Sequence, residues 1–224
     1  MGNIAVDIMA INKTWLREKE EGRAPCVPGY RLRHAPRPRT VRGARGGGVG
    51  FYLRRGVRAR TMPHPPAPQV EQMWLRLNVN AHSVIVGTAC RPPWLDVNIF
   101  LDAITDSLST FASADKVILL GDFNINMLSP SDNKTKLLSN FLLCSKLNQI
   151  VTEPTHFTDH SETLIDMLCA LMPVSGVFLY HTYQSLANMQ WYRLNLILNW
   201  RNLPLIGSHT GLSRTFFLTF LMMT

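Results

Sequence analysis

Apolar and polar residues alternate over positions 73–79, which places Met73, Leu75, Leu77 and Val79 on one side of an extended chain. A period of two is typical of a strand with a buried face. Mainly apolar segments of strand length occur at 4–11, 46–53, 83–90, 116–120 and 163–170. We therefore predict a β-rich chain in which strands at 73–79, 83–90, 116–120 and 164–169 belong to one domain.

Two segments have a helical period instead. Asp96 can cap a helix over 96–111, in which apolar side chains recur every three to four residues: Phe100, Leu101, Ile104, Leu108 and Phe111. A second helix is predicted over 135–147, with Leu137, Leu138, Phe141 and Leu142 facing inward. Past Pro173 no clean period remains. Strands interspersed with two helices indicate an α/β domain rather than a helical bundle or an all-β sandwich.

Length and cysteine content bound the class of protein. The 224 residues suit one domain, or one domain and a tail, and 46% hydrophobic residues can fill a core. The four cysteines form no CxxC pair, so neither a zinc knuckle nor a disulfide framework is indicated. We expect a reducing location, the nucleus or the cytoplasm. No signal peptide and no apolar run of membrane-spanning length is visible, so no membrane partner is expected.

The positive charge is unevenly distributed. The net charge is +8, and the segment 22–70 contains eleven arginines, from Arg23 to Arg60, with no lysine and no acidic residue. Such a basic, proline-rich insertion or loop suits a polyphosphate partner. A disordered loop without a partner explains the same composition, because the segment has almost no apolar period. The composition leaves both interpretations open.

The stretch VILLGDFNIN, residues 117–126, joins a buried-strand pattern to polar residues. Gly121, Asp122 and Asn124 suit a simple turn, because these residue types tolerate a positive φ or bond their own backbone. They also suit an active-site loop, since ligands in α/β folds gather at the carboxyl ends of strands. Spacing alone does not separate the two.

Several motifs occur in a fixed order along the chain. They are INKTWL (11–16), RGGGVGFYL (45–53), EQMWLRL (71–77), CRPP (90–93), GDFNIN (121–126) and LNQIVTEPTHFTDHSETLIDML (147–168). This series resembles the endonuclease/exonuclease/phosphatase superfamily, in the version carried by non-LTR (LINE-type) retrotransposons. The resemblance implies two packed β-sheets flanked by helices in a four-layer α/β sandwich. We expect the sandwich to be incomplete at both ends, because the family's first catalytic strand and its closing Ser-Asp-His motif have no counterpart here.

The resemblance also implies roles for individual residues. In the family, Mg²⁺-dependent hydrolysis nicks target DNA and the nick primes reverse transcription. Asp122 would activate the attacking water or transfer a proton, and Asn124 would hold a phosphate oxygen. Asp166 would orient a catalytic histidine, for which His181 in LYH is the nearest candidate. We further predict substrate-phosphate contacts from a set of arginines: Arg45, Arg54, Arg55 and Arg91.

The departures from the family pattern concern its chemistry. Lys13 stands where the family has its metal-binding glutamate, and a cation there opposes Mg²⁺. Cys90 replaces a tyrosine, and Leu179 and Tyr180 stand where the closing motif has serine and aspartate. We therefore name no metal ligand, regard Mg²⁺ binding as doubtful, expect no small-molecule cofactor and expect an inactive or very weak enzyme.

The resulting hypothesis divides the chain in two. Residues 1–181 would form the endonuclease-like domain, and residues 182–224 a divergent tail of the kind an out-of-frame reading produces. The function expected from the resemblance is that of a retrotransposon-derived endonuclease with DNA as its partner, bound through the phosphate backbone. One alternative is a non-catalytic nucleic-acid-binding remnant that uses the arginine-rich segment. The other is a decayed element with no function.

Overall fold

The computed structural model describes residues 6–38, 46–79 and 82–171, and the backbone of three further strands between 177 and 223. In these parts the chain forms fourteen strands and two α-helices. The strands are β1 (Ile8–Asn12), β2 (Tyr30–Ala35), β3 (Val49–Arg54), β4 (Ala59–Met62), β5 (Glu71–Val79), β6 (His82–Cys90), β7 (Lys116–Asp122), β8 (Leu147–Gln149), β9 (His156–Thr158), β10 (Ser161–Thr163), β11 (Asp166–Leu171), β12 (Val177–Leu186), β13 (Met189–Leu198) and β14 (Phe216–Met223). The helices are α1 (Val97–Thr110) and α2 (Asn133–Cys144).

The strands form two six-stranded sheets and a short hairpin. The first sheet has the order β12-β13-β14-β1-β3-β2, and the second β4-β5-β6-β7-β11-β8. Strands β9 and β10 pair only with each other. In the second sheet β6 and β7 are parallel, with α1 in the connection between them, and the other neighbours are antiparallel.

The two sheets pack face to face over a continuous apolar core. Ile8, Phe51 and Leu53 of the first sheet meet Leu75 and Leu120 of the second in this core. The opposite face of the second sheet packs against α1 and α2 in a further core, which contains a separate set of side chains: Trp74, Ile85, Phe100, Ile104, Leu119, Leu138 and Phe141. This layering confirms the predicted α/β sandwich. Both described α-helices cover the second sheet.

Several local predictions are confirmed. The alternating side chains of β5, from Met73 to Val79, lie in the core between the sheets. The carboxylate of Asp96 caps α1 and accepts from the backbone N–H groups of Asn98 and Ile99 at 2.8 and 3.3 Å. An N-cap carboxylate satisfies donors that have no partner within the helix, which fixes where the helix begins.

Other local predictions are corrected. Segment 22–70 is not a loop throughout, because β2 pairs along its whole length with β3. Helix α2 ends at Cys144 rather than at 147, since Lys146 has a φ of 54° and Leu147 begins β8. The strand predicted at 116–120 continues to Asp122, so the motif GDFN starts within β7.

The C-terminal part of the chain joins the first sheet. The backbone of β14 pairs in parallel with β1, from Ile8 with Leu218 to Ile11 with Leu221. The division of the chain after residue 181 stays a prediction. In the part of the chain that the structure describes, no helix is both long and apolar enough to cross a membrane.

Candidate functional site

Four titratable side chains form a row across adjacent strands of the second sheet. Glu71 pairs with Cys90, Cys90 with Asp122, and Asp122 with Asp166. Paired residues on neighbouring strands lie about 5 Å apart and point to the same face. This face is the one between the sheets, where Leu120 and Leu168, two residues away along β7 and β11, lie in the core. All four residues of the row are at most 5% exposed.

The first sheet contributes a cation to this row. Strand β1 ends at Asn12, and the Nζ atom of the next residue, Lys13, lies 2.9 Å from Oδ2 of Asp122. Burial alone would lower the pKa of Lys13, but the Asp122 carboxylate outweighs it and the pKa is raised. Lys13 adopts a left-handed backbone conformation, with φ at 55°, which lysine rarely does. An ammonium–carboxylate pair therefore lies at the centre of the site.

Asn12 holds the backbone beside this pair. It is 2% exposed, and with its amide oriented to suit its neighbours, Oδ1 accepts from the N–H of Asp122 at 2.7 Å. Its amide nitrogen then donates to Oγ1 of Thr88 at 3.0 Å. Sequence reasoning missed Asn12; the only signal is a polar residue that ends an apolar run.

Asn124 lies in the loop directly after β7. Its backbone N–H donates to Oδ1 of Asp122 at 3.2 Å, and its φ of 51° is left-handed. Its side-chain amide donates to the carbonyl of Arg91 at 2.8 Å. One amide hydrogen is thus committed to joining two loops, while the predicted contact to a phosphate oxygen stays a prediction.

Arg91 is buried, and its guanidinium bonds to backbone carbonyls of the protein. It is 2% exposed, and its guanidinium donates to the carbonyls of Phe123 and Asn124 at 2.7 Å each, as well as to that of Leu95. Burial lowers the pKa of Arg91, and Asp122 opposes that effect. The predicted contact between Arg91 and a substrate phosphate does not fit this arrangement, because the donors are used inside the protein.

Asp166 lies opposite Asp122 in the register of β11 and β7. Its backbone N–H donates to Oγ1 of Thr155 at 3.2 Å. Burial, with the Asp122 carboxylate beside it, raises the pKa of Asp166 well above its usual value. The structure therefore brings Asp122, Asn124 and Asp166 together, and their predicted roles stay predictions. His181 lies in β12, whose side chains are outside the described residues, so its role stays a prediction.

The remaining predicted arginines lie elsewhere. Arg54 ends β3 and pairs with the buried carboxylate of Asp7, and Arg55 follows in an exposed turn. In the register of β1 and β3, Leu53 pairs with Ile8 at the end of β1 opposite to Asn12. Four residues of strand span roughly 13 Å, so neither arginine contacts the row. Arg45 lies outside the described residues.

Glu71, the other acid of the row, is also already engaged. One carboxylate oxygen pairs with the guanidinium of Arg37, and the other accepts from the N–H of Gly48 at 2.6 Å. Sequence reasoning placed Glu71 in a motif but assigned it no role. Burial, followed by Asp122 and Glu71, raises the pKa of Cys90 well above its usual value, so Cys90 is a neutral thiol.

The side chains of this site do not fit a Mg²⁺ ion. Mg²⁺ requires oxygen ligands in near-octahedral geometry, whereas Oδ2 of Asp122 faces the Lys13 ammonium. Both oxygens of Glu71 have partners. Among residues 6–38, 46–79 and 82–171, no three His, Cys, Asp or Glu side chains are grouped so as to hold a metal ion. A cation that belongs to the chain occupies the place beside Asp122.

Other arginines gather along one edge of the sandwich. β2 and β4 are edge strands of the two sheets, and Nη1 of Arg33 donates across to Oγ1 of Thr61 at 3.2 Å. Arg31, Arg58 and Arg60 are exposed on or beside these strands. We call this group of four arginines, Arg31, Arg33, Arg58 and Arg60, the basic edge. The basic edge thus brings four of the arginines of segment 22–70 together on one surface.

Comparisons with known proteins identify the architecture. No protein-family profile and no curated protein matches the chain. The endonuclease domain of TRAS1, a telomere-specific non-LTR retrotransposon, superposes with a TM-score of 0.54 at 13% identity over 68% of this chain and 74% of that one. A family protein from Leptotrichia buccalis C-1013-b gives 0.54 at 12% identity over 76% and 77%. A humanized D. rerio TDP2 gives 0.52 at 12% identity over 80% and 76%. The chain therefore has the endonuclease/exonuclease/phosphatase fold, as its motifs predict.

Proposed function

We propose that the chain is a retrotransposon-derived, endonuclease-like domain that binds nucleic acid through its phosphates and nicks DNA at most at a trace level. The observation that carries this proposal is the 2.9 Å pair between Lys13 and Asp122. In this pair the expected general base, Asp122, is bound to a cation. The fold around the pair is similar to that of a retrotransposon endonuclease domain.

The pair limits hydrolysis for an electrostatic reason. Attack on a phosphodiester needs charge compensation and a free base near the attacking water. The Lys13 ammonium supplies one positive charge, but it does so by holding the Asp122 carboxylate that would have to accept the proton. Loss of a positioned acid–base group typically costs about 10²- to 10⁴-fold in rate.

Binding depends on a different part of the molecule. The basic edge presents arginines on two neighbouring edge strands, where no side chain of a further strand covers them in the described residues. Arginine forms bidentate contacts with phosphate, so such an edge suits a nucleic-acid backbone. We infer that the domain binds DNA without sequence preference.

A plasmid-nicking assay tests the catalytic half of the proposal. The purified chain is incubated with supercoiled plasmid and Mg²⁺, beside Asp122→Ala and beside Asp106→Ala, whose exposed carboxylate lies on α1. We expect no nicking above the level of Asp122→Ala. Nicking by the unmodified chain that Asp122→Ala abolishes and Asp106→Ala keeps would overturn the claim of trace activity.

Gel-shift titration of a labelled duplex at low salt tests the binding half. Micromolar binding is expected, in the range of non-specific protein–DNA affinities. A folded chain that fails to shift the duplex even at low salt contradicts nucleic-acid binding, and the decayed-element alternative would then be favoured.

A further inference from the structure

A cavity of about 930 Å³ lies beside the row of Glu71, Cys90, Asp122 and Asp166, called the acid row below, and outside it. Its walls come from residues 14–25 after β1, from residues 36–38 after β2, and from Gly46. Arg37 belongs to this wall and pairs with Glu71 of the row, so the cavity and the row share a boundary. The volume falls within the roughly 300–1,000 Å³ of small-molecule sites.

Trp15 in the wall of this cavity is unusually exposed. It is 65% exposed, whereas Trp74 in the core is fully buried. Its φ of 56° is left-handed, and its backbone N–H donates to the carbonyl of Gly47 at 2.9 Å. A residue held in a sparsely populated backbone conformation points to a functional constraint. The chain thus fixes a large aromatic side chain in a place where the side chain gains little from burial.

The triple glycine at 46–48 explains how Trp15 is held, and its Gly48 N–H also donates to Glu71 of the acid row. All three glycines have left-handed φ values, 93°, 73° and 84°. A Cβ on Gly46 would lie 3.1–3.3 Å from carbons of the Trp15 six-membered ring, and one on Gly47 would collide with the Arg37 guanidinium. Only glycine lets this backbone lie against both side chains. The motif therefore builds the wall that positions an aromatic ring and a cation next to each other.

The side chains that line the cavity indicate which kind of ligand it can bind. Three arginines, Arg17, Arg23 and Arg37, line the cavity together with Glu18 and Glu20. Arg23 is paired with Glu20 at 2.9 Å and Arg37 with Glu71. A planar aromatic ring among arginines suits a stacked base with an attached phosphate. Paired bases in a duplex are already stacked on each other, so an exposed ring favours an unpaired nucleotide.

We propose that this cavity holds an unpaired nucleotide of a single-stranded or locally opened nucleic acid, with its base stacked on the indole of Trp15. The inference rests on the proposed nucleic-acid binding and adds a base-binding position to it. The strand would then continue past the Arg37–Glu71 pair toward the acid row.

Fluorescence anisotropy with a labelled oligothymidylate tests the inference, with Trp15→Ala and Trp15→Phe compared with the unmodified chain. Stacking on one aromatic side chain changes affinity by roughly five- to 150-fold, so Trp15→Ala should weaken binding at least about fivefold. Trp15→Phe should retain most of it. Trp94→Ala is the matched control, because Trp94 is 45% exposed but lies outside the wall of the cavity.

An abasic strand of equal length separates stacking from phosphate contacts. On this strand Trp15→Ala and the unmodified chain should bind equally. The inference is wrong if Trp15→Ala binds oligothymidylate as the unmodified chain does, or if it loses equal affinity on the abasic strand. Duplex binding without any single-strand binding also overturns it and leaves the proposed function standing. Failure to bind either nucleic acid removes both.

Discussion

Asp122 and Asp166 lie directly opposite each other on β7 and β11, at 3% and 5% exposure. Two buried carboxyl groups in such a pair cannot both ionise without a large electrostatic cost. Lys13 compensates the charge of Asp122, and burial together with that charge keeps the pKa of Asp166 raised. The buried site thus pairs one ammonium with one carboxylate and disfavours ionisation of the second carboxyl group.

Asp166→Asn should change how stability depends on pH. Above about pH 4 the unfolded chain releases the Asp166 proton, while the folded chain keeps it because the pKa is raised. The stability contributed by this proton is present below about pH 4 and is lost as pH rises through the folded pKa, by up to about 1.4 kcal/mol per pH unit. Asn cannot ionise, so the variant should gain on the unmodified chain as pH rises. Urea unfolding at several pH values measures the difference.

Asp106→Asn serves as the control for this experiment, since Asp106 is exposed on α1. Its stability should follow that of the unmodified chain across the pH range. Parallel pH profiles for Asp166→Asn and the unmodified chain would show that Asp166 is not held protonated.

Lys13→Met should destabilise the fold through Asp122. The substitution keeps the apolar stem but leaves a carboxylate whose side chain is 5% exposed without its cation. Breaking a buried pair costs about 3–5 kcal/mol, but the Lys13 side chain is 39% exposed, so we expect about 1–2 kcal/mol. Combining it with Asp122→Asn should recover most of this loss in a double-mutant cycle. Additive losses in urea unfolding would mean that the two side chains do not interact.

Lys13→Glu should create the divalent-metal affinity that the chain lacks at this position. It replaces the ammonium beside Asp122 by a third carboxyl group near Asp166. Oxygen ligands favour Mg²⁺, and a ligand that binds only the folded state raises Tm with its concentration. Thermal unfolding across a Mg²⁺ series should show a rising Tm for Lys13→Glu and a flat one for Lys13→Gln. Equal responses of the two variants would contradict the interpretation of Lys13 as the group that opposes the metal.

Gly121→Ala should prevent stable folding. The Cβ would lie 1.8 Å from the carbonyl oxygen of Ala89 in the neighbouring strand β6, and backbone atoms of a paired strand cannot move aside. We expect a loss of more than about 3 kcal/mol. Gly22→Ala is the control, because a Cβ there meets nothing within 4 Å. Soluble yield and urea midpoints should separate the two variants, and similar midpoints would contradict the packing described here.

Arg58→Ala with Arg60→Ala should reduce the salt dependence of duplex binding. Each arginine that contacts a phosphate contributes about one unit to the slope of log K against log salt, so the slope should fall by about two. The control removes two charges from the exposed surface of α2, as Lys134→Ala with Lys136→Ala. An equal change in slope for both pairs would mean that net charge, rather than the basic edge, determines binding.

The sequence predicted those elements that are defined by a local pattern of side chains. The period of two in β5 and the Asp96 cap of α1 are local features, and both are confirmed. The structure adds that Asp122 lies opposite Asp166, because β7 ends and β11 begins at these paired residues.

Features that depend on distant backbone were not predictable in this way. β2 is an edge strand held by backbone bonds to β3, so its side chains need no apolar period. The burial of Arg91 depends on carbonyls of the loop after β7, which the fold brings to it from 32 and 33 residues away. From the sequence alone, Arg91 is only a cationic residue that follows a predicted strand.

The guanidinium of Arg91 ties the loop after β6 to the loop after β7 from inside the protein. The two loops that border the site are therefore held together by a buried side chain rather than by the row itself. Exchanges at Lys13 or Cys90 would leave this internal brace in place, because neither side chain takes part in its hydrogen bonds. The two loops therefore keep a connection of their own, separate from the ion pair and the thiol that lie beside them.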